Sequence, residues 1–124
     1  MTDMIVAGAG TTAVNGTYAE YGTRDGKTRY RRTSAESPTG YFYIVYPGGG
    51  YNMWCIGVRG EDSETGQQCL LGSRYYAQEN VATPDLVTTW LVTQGIVPAP
   101  TVTAASSGQN LILHFLHYAR LRSN

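Results

Sequence analysis

The chain has two histidines, the residues that most often act as bases beside a nucleophilic serine or cysteine. They are His114 and His117, and both lie in an apolar segment near the end of the sequence. A histidine in such a segment is more often a packing residue than a base. The two cysteines lie far from them in sequence, so the four residues make a poor zinc set. We therefore expect no catalytic residues, no metal site and no cofactor.

The cysteines, Cys55 and Cys69, are 14 positions apart, a spacing that lets them face each other across a hairpin. Disulfides are rare in proteins that stay inside the cell. The start of the chain lacks the charged and then apolar pattern of a secretory signal. On these grounds we expect two buried free thiols in preference to a disulfide.

Carboxylates and a glycine-rich segment are the other features whose residue types can carry chemistry. Glu61, Asp62 and Glu64 form an acidic run, but no aromatic cluster lies beside it, so it indicates glycoside chemistry only weakly. Residues 47–51, PGGGY, are followed by a predicted strand and contain no lysine, unlike a phosphate-binding loop. We interpret this segment as a hairpin connection and expect that the protein is not an enzyme.

The charges cancel over the whole chain but not locally. Nine basic and nine acidic residues give a formal net charge of zero, so no long-range field is expected to recruit nucleic acid or an anionic membrane. No segment reaches the roughly 20 apolar residues that cross a bilayer. The clustered charges are basic Arg29, Arg31 and Arg32 and acidic Glu61, Asp62 and Glu64. These clusters indicate two solvated surface segments, or alternatively charge matching between neighbouring copies.

Strands would have to position these residues. The dipeptides Asn15-Gly16 and Asp25-Gly26 both favour type I′ hairpin turns, with strands predicted over residues 17–24 and 27–33. Residues 41–46, YFYIVY, predict a central strand with both faces covered. In the next predicted strand, residues 51–58, Trp54 and Ile56 share one face while Met53 and Cys55 share the other.

The later part of the chain is less regular. Short strands are predicted over residues 68–71 and 74–77. Thr83-Pro84-Asp85 could begin a helix, but β-branched and aromatic residues favour a strand over 86–93. Pro98 and Pro100 then force an extended exit.

These elements predict a mainly β protein of 124 residues. Residues 1–103 form a small antiparallel meander or sandwich-like domain, and residues 104–124 form an extended or helical C-terminal tail. The tail is apolar, so we expect it to bind a partner. The residues assigned to that contact are Leu111, Leu113, Phe115, Leu116, Tyr118 and Leu121.

Tyrosine is abundant, with ten in the chain. Most of them are expected in the core, but tyrosine also recurs at recognition surfaces because it gives a large contact area at low entropy cost. Tyr75 and Tyr76 are adjacent and must point to opposite faces of a strand. They are candidates for surface recognition together with Tyr51.

The order of the motifs resembles a small β-rich module that occurs in phage structural and tail-associated proteins and in large bacterial surface proteins. The motifs are GAGTTAVNGTY, the Asp-Gly-Lys turn, YFYIVY, MWCI, RYYA and TTWLVTQGIVPAPTV. The similarity covers residues 6–102. Its most specific parts are NGTY at 15–18 and W-x4-G-x2-PAPTV at 90–102. The chain departs from the module in its acidic loop and in its tail.

This resemblance implies a structural or adhesive module without catalytic residues. We expect a bacteriophage virion protein that works by protein–protein contacts, either a capsid-decoration or head-fibre subunit or a small tail-associated one. Its partners would be other virion proteins and further copies of itself, with a trimer as one arrangement, and neither nucleic acid nor membrane. The alternative is a carbohydrate- or cell-surface-binding β module.

Overall fold

The computed structural model describes residues 2–34, 41–47, 52–58 and 73–105. In these ranges the chain forms eight antiparallel strands in one curled sheet, together with two single 3₁₀ turns. The strands are β1 (Met4–Ala7), β2 (Gly16–Arg24), β3 (Lys27–Arg32), β4 (Tyr43–Val45), β5 (Trp54–Gly57), β6 (Ser73–Ala77), β7 (Leu91–Val92) and β8 (Thr101–Ala104). The predicted mainly β fold is therefore confirmed.

The strand order across the sheet is β7-β6-β5-β4-β3-β2-β1-β8. The first seven strands form a meander, and β8 returns to pair with β1, where Val6 lies opposite Val102. The backbone N–H of Ala105 continues this pairing by donating to the carbonyl of Asp3 at 2.8 Å. The sequence did not predict β8, because the prolines before it indicated only an extended exit. An edge strand tolerates proline at its start, since one side of its backbone needs no partner.

The two predicted hairpin turns have different outcomes. Asp25 and Gly26 have φ angles of 53° and 81°, as a type I′ turn requires, and they join β2 to β3. Asn15 has φ −69°, and a 3₁₀ turn at Thr12–Val14 connects β1 to β2 instead. The side chain of Asn15 accepts a hydrogen bond from the N–H of Ala9 at 3.0 Å and donates to its carbonyl at 3.2 Å. The prediction of a type I′ turn at Asn15-Gly16 is wrong, because this side chain ties the loop together instead.

A β-bulge interrupts the pairing of β2 with β3. The register shifts between Glu20 and Thr23, which sets Tyr21 and Gly22 opposite Arg29. Gly22 has φ +81°, a backbone conformation that favours glycine. Side chains alternate between the two faces of a strand. The extra residue therefore puts each residue of β2 before the bulge on the face opposite to the one it would occupy if the pairing continued regularly from the Asp25-Gly26 turn.

The inner face of the curled sheet carries the core. Tyr30, Ile44, Ile56 and Tyr75 lie directly opposite one another in a row across β3, β4, β5 and β6, and all are buried. Trp54, on the same face as Ile56, donates from its indole N–H to the carbonyl of Val81 at 3.1 Å. This row of large side chains joins four neighbouring strands through the apolar core.

Tyr18 is a buried polar residue of this core, and its hydroxyl donates to the carbonyl of Val14 at 2.6 Å. Burial raises the pKa of Tyr18 above its usual value, and the nearby charge of Arg32 acts in the opposite direction. The ring is therefore held as a neutral donor, which satisfies a carbonyl of the 3₁₀ turn.

The curl brings the loop after β1 against the loop after β7, and we call this contact the seam. The N–H of Gly10 donates to the carbonyl of Pro98 at 2.9 Å, and the N–H of Ile96 donates to the hydroxyl of Thr11 at 2.8 Å. A Cβ at Gly10 would clash with the carbonyl oxygens of Val97 and Ile96, so the close approach requires glycine there.

The prediction of a strand over residues 86–93 is largely wrong. Only Leu91–Val92 pairs with β6, and Pro84–Leu86 is a 3₁₀ turn with its proline in the first turn. The backbone N–H groups of Thr88 and Thr89 donate to the carboxylate of Glu79, at 2.9 and 3.0 Å. These amides are used by a side chain, so they are not part of a strand ladder.

The predicted division of β5 between two faces is confirmed. Trp54 and Ile56 belong to the inner core, while Met53 and Cys55 are buried on the other face, where Tyr76 packs against them. Cys55 is disulfide-bonded, so the expectation of two free thiols is wrong. The only other cysteine in the sequence is Cys69, which lies outside the described residues. The hairpin spacing was compatible with a bond. The argument that favoured thiols rested on the missing secretory-signal pattern and took no account of geometry.

Candidate functional site

The outer face of the sheet carries a cluster of two arginines and three tyrosines on β2, β3, β4 and the residues just before β4. We call it the arginine–tyrosine patch. Its members are Tyr21, Arg29, Arg31, Tyr41 and Tyr43.

Strand register places these residues together. Arg31 lies opposite Ala19 on β2 and opposite Tyr43 on β4, and Tyr43 in turn lies opposite Gly57 on β5. The bulge brings Tyr21 onto the same face. In a regular hairpin around Asp25-Gly26, Tyr21 would instead pair with the core residue Tyr30.

The guanidinium of Arg31 is in contact with two tyrosine rings, one from the chain on either side of β3. Its Cζ lies 4.1 Å from the ring centroid of Tyr21 and 4.4 Å from that of Tyr41. The Cζ of Arg29 lies 5.2 Å from the ring centroid of Tyr21, and the rings of Tyr21 and Tyr43 are 5.8 Å apart and tilted by 59°. These distances are those of cation–π and aromatic contacts, which fix the positions of long side chains on a surface.

The two arginines are held differently. The Nε of Arg29 donates to the backbone carbonyl of Tyr21 at 2.8 Å, so this side chain braces the bulge. Arg31 contacts aromatic rings, and its N–H groups meet no acceptor within the ranges that the structure describes. A guanidinium has five N–H donors in one plane. This donor set is matched to a carboxylate or another planar acceptor, and the described residues leave the donors of Arg31 without one.

The surroundings of the patch favour an incoming anion. Tyr21 is 39 % exposed, and the residues that flank the row, Ala19 and Gly57, are small. The nearest acidic residue of β2, Glu20, pairs with Tyr30 on the other face, and its carboxylate accepts the N–H of Thr2 at 3.0 Å. The patch is thus positive and aromatic.

Other predicted basic residues have structural roles. Arg32 pairs with Tyr18 on the inner side of β3 and donates to the carbonyls of Asn15 and Ser34, at 2.9 Å each. Arg32 therefore lies apart from Arg29 and Arg31, with which it was grouped as an intersubunit charge. The side chain of Lys27 contacts a ring that is not part of the patch, since its Nζ is 4.7 Å from the ring centroid of Tyr46.

Tyr75 does not belong to an exposed surface. It is 0 % exposed, and its hydroxyl accepts the N–H of Thr11 at 2.9 Å and donates to the carbonyl of Ile96 at 2.7 Å. Its assignment to surface recognition is corrected to a role at the seam, because the inner face of β6 faces the core. Tyr76 points to the opposite face, as adjacent strand residues must, and is half-buried against Met53 and Cys55.

The remaining predicted site residues lie outside the described residues. They are Tyr51, the acidic residues Glu61, Asp62 and Glu64, and the tail residues Leu111, Leu113, Phe115, Leu116, Tyr118 and Leu121.

Sequence reasoning did not assign Tyr21, Tyr41 and Tyr43 to a site. Side-chain alternation along a strand is enough to put Arg29 and Arg31 on one face of β3. The signal for Tyr21 was Gly22, since a glycine inside a strand often marks a bulge. A bulge there puts Tyr21 on the outer face, whereas a regular hairpin would pair it with Tyr30 on the inner face.

Within the described residues, no group of three or more His, Cys, Asp or Glu could hold a metal ion. In the same part of the chain, no helix has the length and apolar character needed to span a membrane.

Comparison of the chain with protein-family models, with curated proteins and with solved structures finds no match. The resemblance to a phage and surface-protein module therefore stays a prediction, and the arginine–tyrosine patch is the basis for assigning a function.

Proposed function

We propose that this protein is a non-enzymatic contact module that binds other proteins through the outer face of its sheet, as a bacteriophage virion structural protein. Its place would be that of a capsid-decoration or head-fibre subunit, or of a small tail-associated subunit. The observation that carries the binding role is the arginine–tyrosine patch.

The composition of the patch is that of a protein interface. Tyrosine and arginine are enriched in the energetically important centres of such interfaces, where lysine and acidic residues are depleted. Here Arg31 lies over the rings of Tyr21 and Tyr41, so its side chain is already ordered. An ordered arginine loses little conformational entropy when a partner binds.

The disulfide supports a setting outside the cytosol. Cys55 is disulfide-bonded, and disulfides persist on virion and cell surfaces but are rare among cytosolic proteins. Both a virion subunit and a cell-surface module would meet this condition.

The test is quantitative mass spectrometry of phage particles purified from the source of this sequence, counting this chain against the major shell protein. A copy number similar to that of the shell would support a decoration subunit. A few copies per particle would support a tail or fibre subunit. Absence from the particles would contradict the virion proposal.

A carbohydrate- or cell-surface-binding module is the second candidate. It is favoured by the rings of Tyr21, Tyr41 and Tyr43, which combine apolar faces with hydroxyl groups. In the described part of the chain these hydroxyls make no hydrogen bond. Absence from particles would leave this candidate as the better account.

A further inference from the structure

We propose that the arginine–tyrosine patch binds the acidic segment Glu61, Asp62 and Glu64 of a second copy of this chain, with Arg31 donating to one of its carboxylates. This inference rests on the proposed function and names the partner of the same surface.

The first step is the state of Arg31. Both neighbouring tyrosines contact the guanidinium at 4.1 and 4.4 Å, while its N–H donors have no acceptor within the described residues. A guanidinium prefers to donate two parallel hydrogen bonds to a carboxylate. The side chain is thus preorganised for an acidic partner, and the described residues do not supply one.

The second step is the distribution of acidic groups. Three of the described carboxylates are already engaged locally. Glu20 accepts the N–H of Thr2, Glu79 accepts the N–H groups of Thr88 and Thr89, and Asp85 accepts the hydroxyl of Thr83.

The densest acidic run in the sequence is 61–64, with three carboxylates in four residues and no basic residue among them. It has the opposite charge to the patch, on a chain whose net charge is zero. One chain therefore carries both halves of a complementary pair. Repeated between copies, such a contact gives a closed pair or ring, or an open filament where the rotation between copies does not close.

The experiment is sedimentation velocity of the full chain over a range of concentrations and at low and high salt. Four samples are compared: the wild type, Arg31→Glu, the triple variant Glu61→Lys, Asp62→Lys and Glu64→Lys, and an equimolar mixture of the two variants. We expect the wild type to self-associate. Each variant alone should associate at least tenfold more weakly, and the mixture should regain association. Salt should weaken the wild-type association, since partly exposed charges are screened.

Arg24→Glu is the matched control, because it makes the same charge change on β2 outside the patch, and it should associate like the wild type. Recovery in the mixture shows that both variants are folded, and circular dichroism of each variant checks this independently. A wild type that stays monomeric overturns the inference. Unchanged association of Arg31→Glu, or a mixture that fails to associate although both variants are folded, also overturns it.

The failure of this inference can be told apart from failure of the proposed function. A chain that is monomeric in solution but is incorporated into particles through Arg31 would retain the proposed function and refute the second copy as partner. A chain that self-associates through Arg31 but is absent from particles would retain the second copy as partner and refute the virion function.

Discussion

Tyr75 and Tyr43 carry the same hydroxyl group but have different structural roles in this protein. The hydroxyl of Tyr75 both accepts and donates at the seam, linking Thr11 to Ile96. The hydroxyl of Tyr43 has no hydrogen-bond partner in the described residues, and its ring contributes to the patch. One residue type therefore serves closure of the sheet on its inner face and contact on its outer face.

We predict that Tyr75→Phe lowers the free energy of unfolding by about 1–3 kcal/mol, because it leaves the Thr11 N–H and the Ile96 carbonyl without their partner. Urea denaturation followed by circular dichroism measures the change. The control is Tyr43→Phe, which should shift the same quantity by less than about 0.5 kcal/mol. Equal effects of the two substitutions would contradict the assigned role of Tyr75.

At the scale of elements, the segment between β6 and β7 is ordered by a side chain rather than by strand pairing. The carboxylate of Glu79 accepts the backbone N–H groups of Thr88 and Thr89 and the hydroxyl of Thr88. The backbone hydrogen bonds from Thr88 and Thr89 hold the pKa of Glu79 below its usual value; desolvation opposes this effect and the Thr88 hydroxyl adds to it.

A carboxylate whose pKa is lowered by folding stabilises the folded state above its unfolded-state pKa, and this contribution is lost as pH falls through the folded-state pKa. We therefore predict that Glu79→Gln melts at a lower temperature than the wild type at pH 7. The difference should shrink as the pH falls below the ordinary value of 4.5. Thermal melts from pH 7 to pH 3 measure it. A difference that is constant over this range would contradict the account.

A turn or strand could be predicted from the sequence where the interaction that determines it is between neighbouring residues, and not where that interaction is with residues further along the chain. Asp25-Gly26 forms its predicted turn because the φ preferences of these two residues suffice. Asn15-Gly16 does not, since the side chain of Asn15 forms hydrogen bonds with the backbone N–H and carbonyl of Ala9 across the loop.

The patch shows the same limit. Alternation placed Arg29 and Arg31 on one face, but the position of Tyr21 depends on a bulge, and one extra residue reverses its face. The bond at Cys55 and the pairing of β8 with β1 are likewise distant contacts. No pattern of neighbouring residues specifies them.

At the scale of the whole molecule, the described sheet is continuous from β7 at one edge to β8 at the other. The seam joins the loops next to these edges. All eight strands and the contacts of Ala105 lie before residue 106. The sheet therefore has its observed pairings without the tail.

We predict that a chain of residues 1–105 stays folded, with a thermal midpoint close to that of the full chain. A chain of residues 1–100 is the control. It lacks β8, which exposes the buried side chains of Met4 and Val6 on β1, and it should be unfolded or strongly destabilised. If the 1–105 chain also unfolds, residues 106–124 belong to the core and the division into module and tail is wrong.

The measurement that tests the central claim most directly is the number of copies per purified particle of the wild type, of Arg31→Gln and of Arg24→Gln. Both substitutions remove one positive charge from the same hairpin, but only Arg31 lies between the two tyrosine rings. We predict that Arg31→Gln reduces incorporation at least tenfold, equivalent to about 1.4 kcal/mol of binding free energy, and that Arg24→Gln is incorporated like the wild type. Incorporation of Arg31→Gln at the wild-type copy number would contradict the claim that this patch is the contact surface.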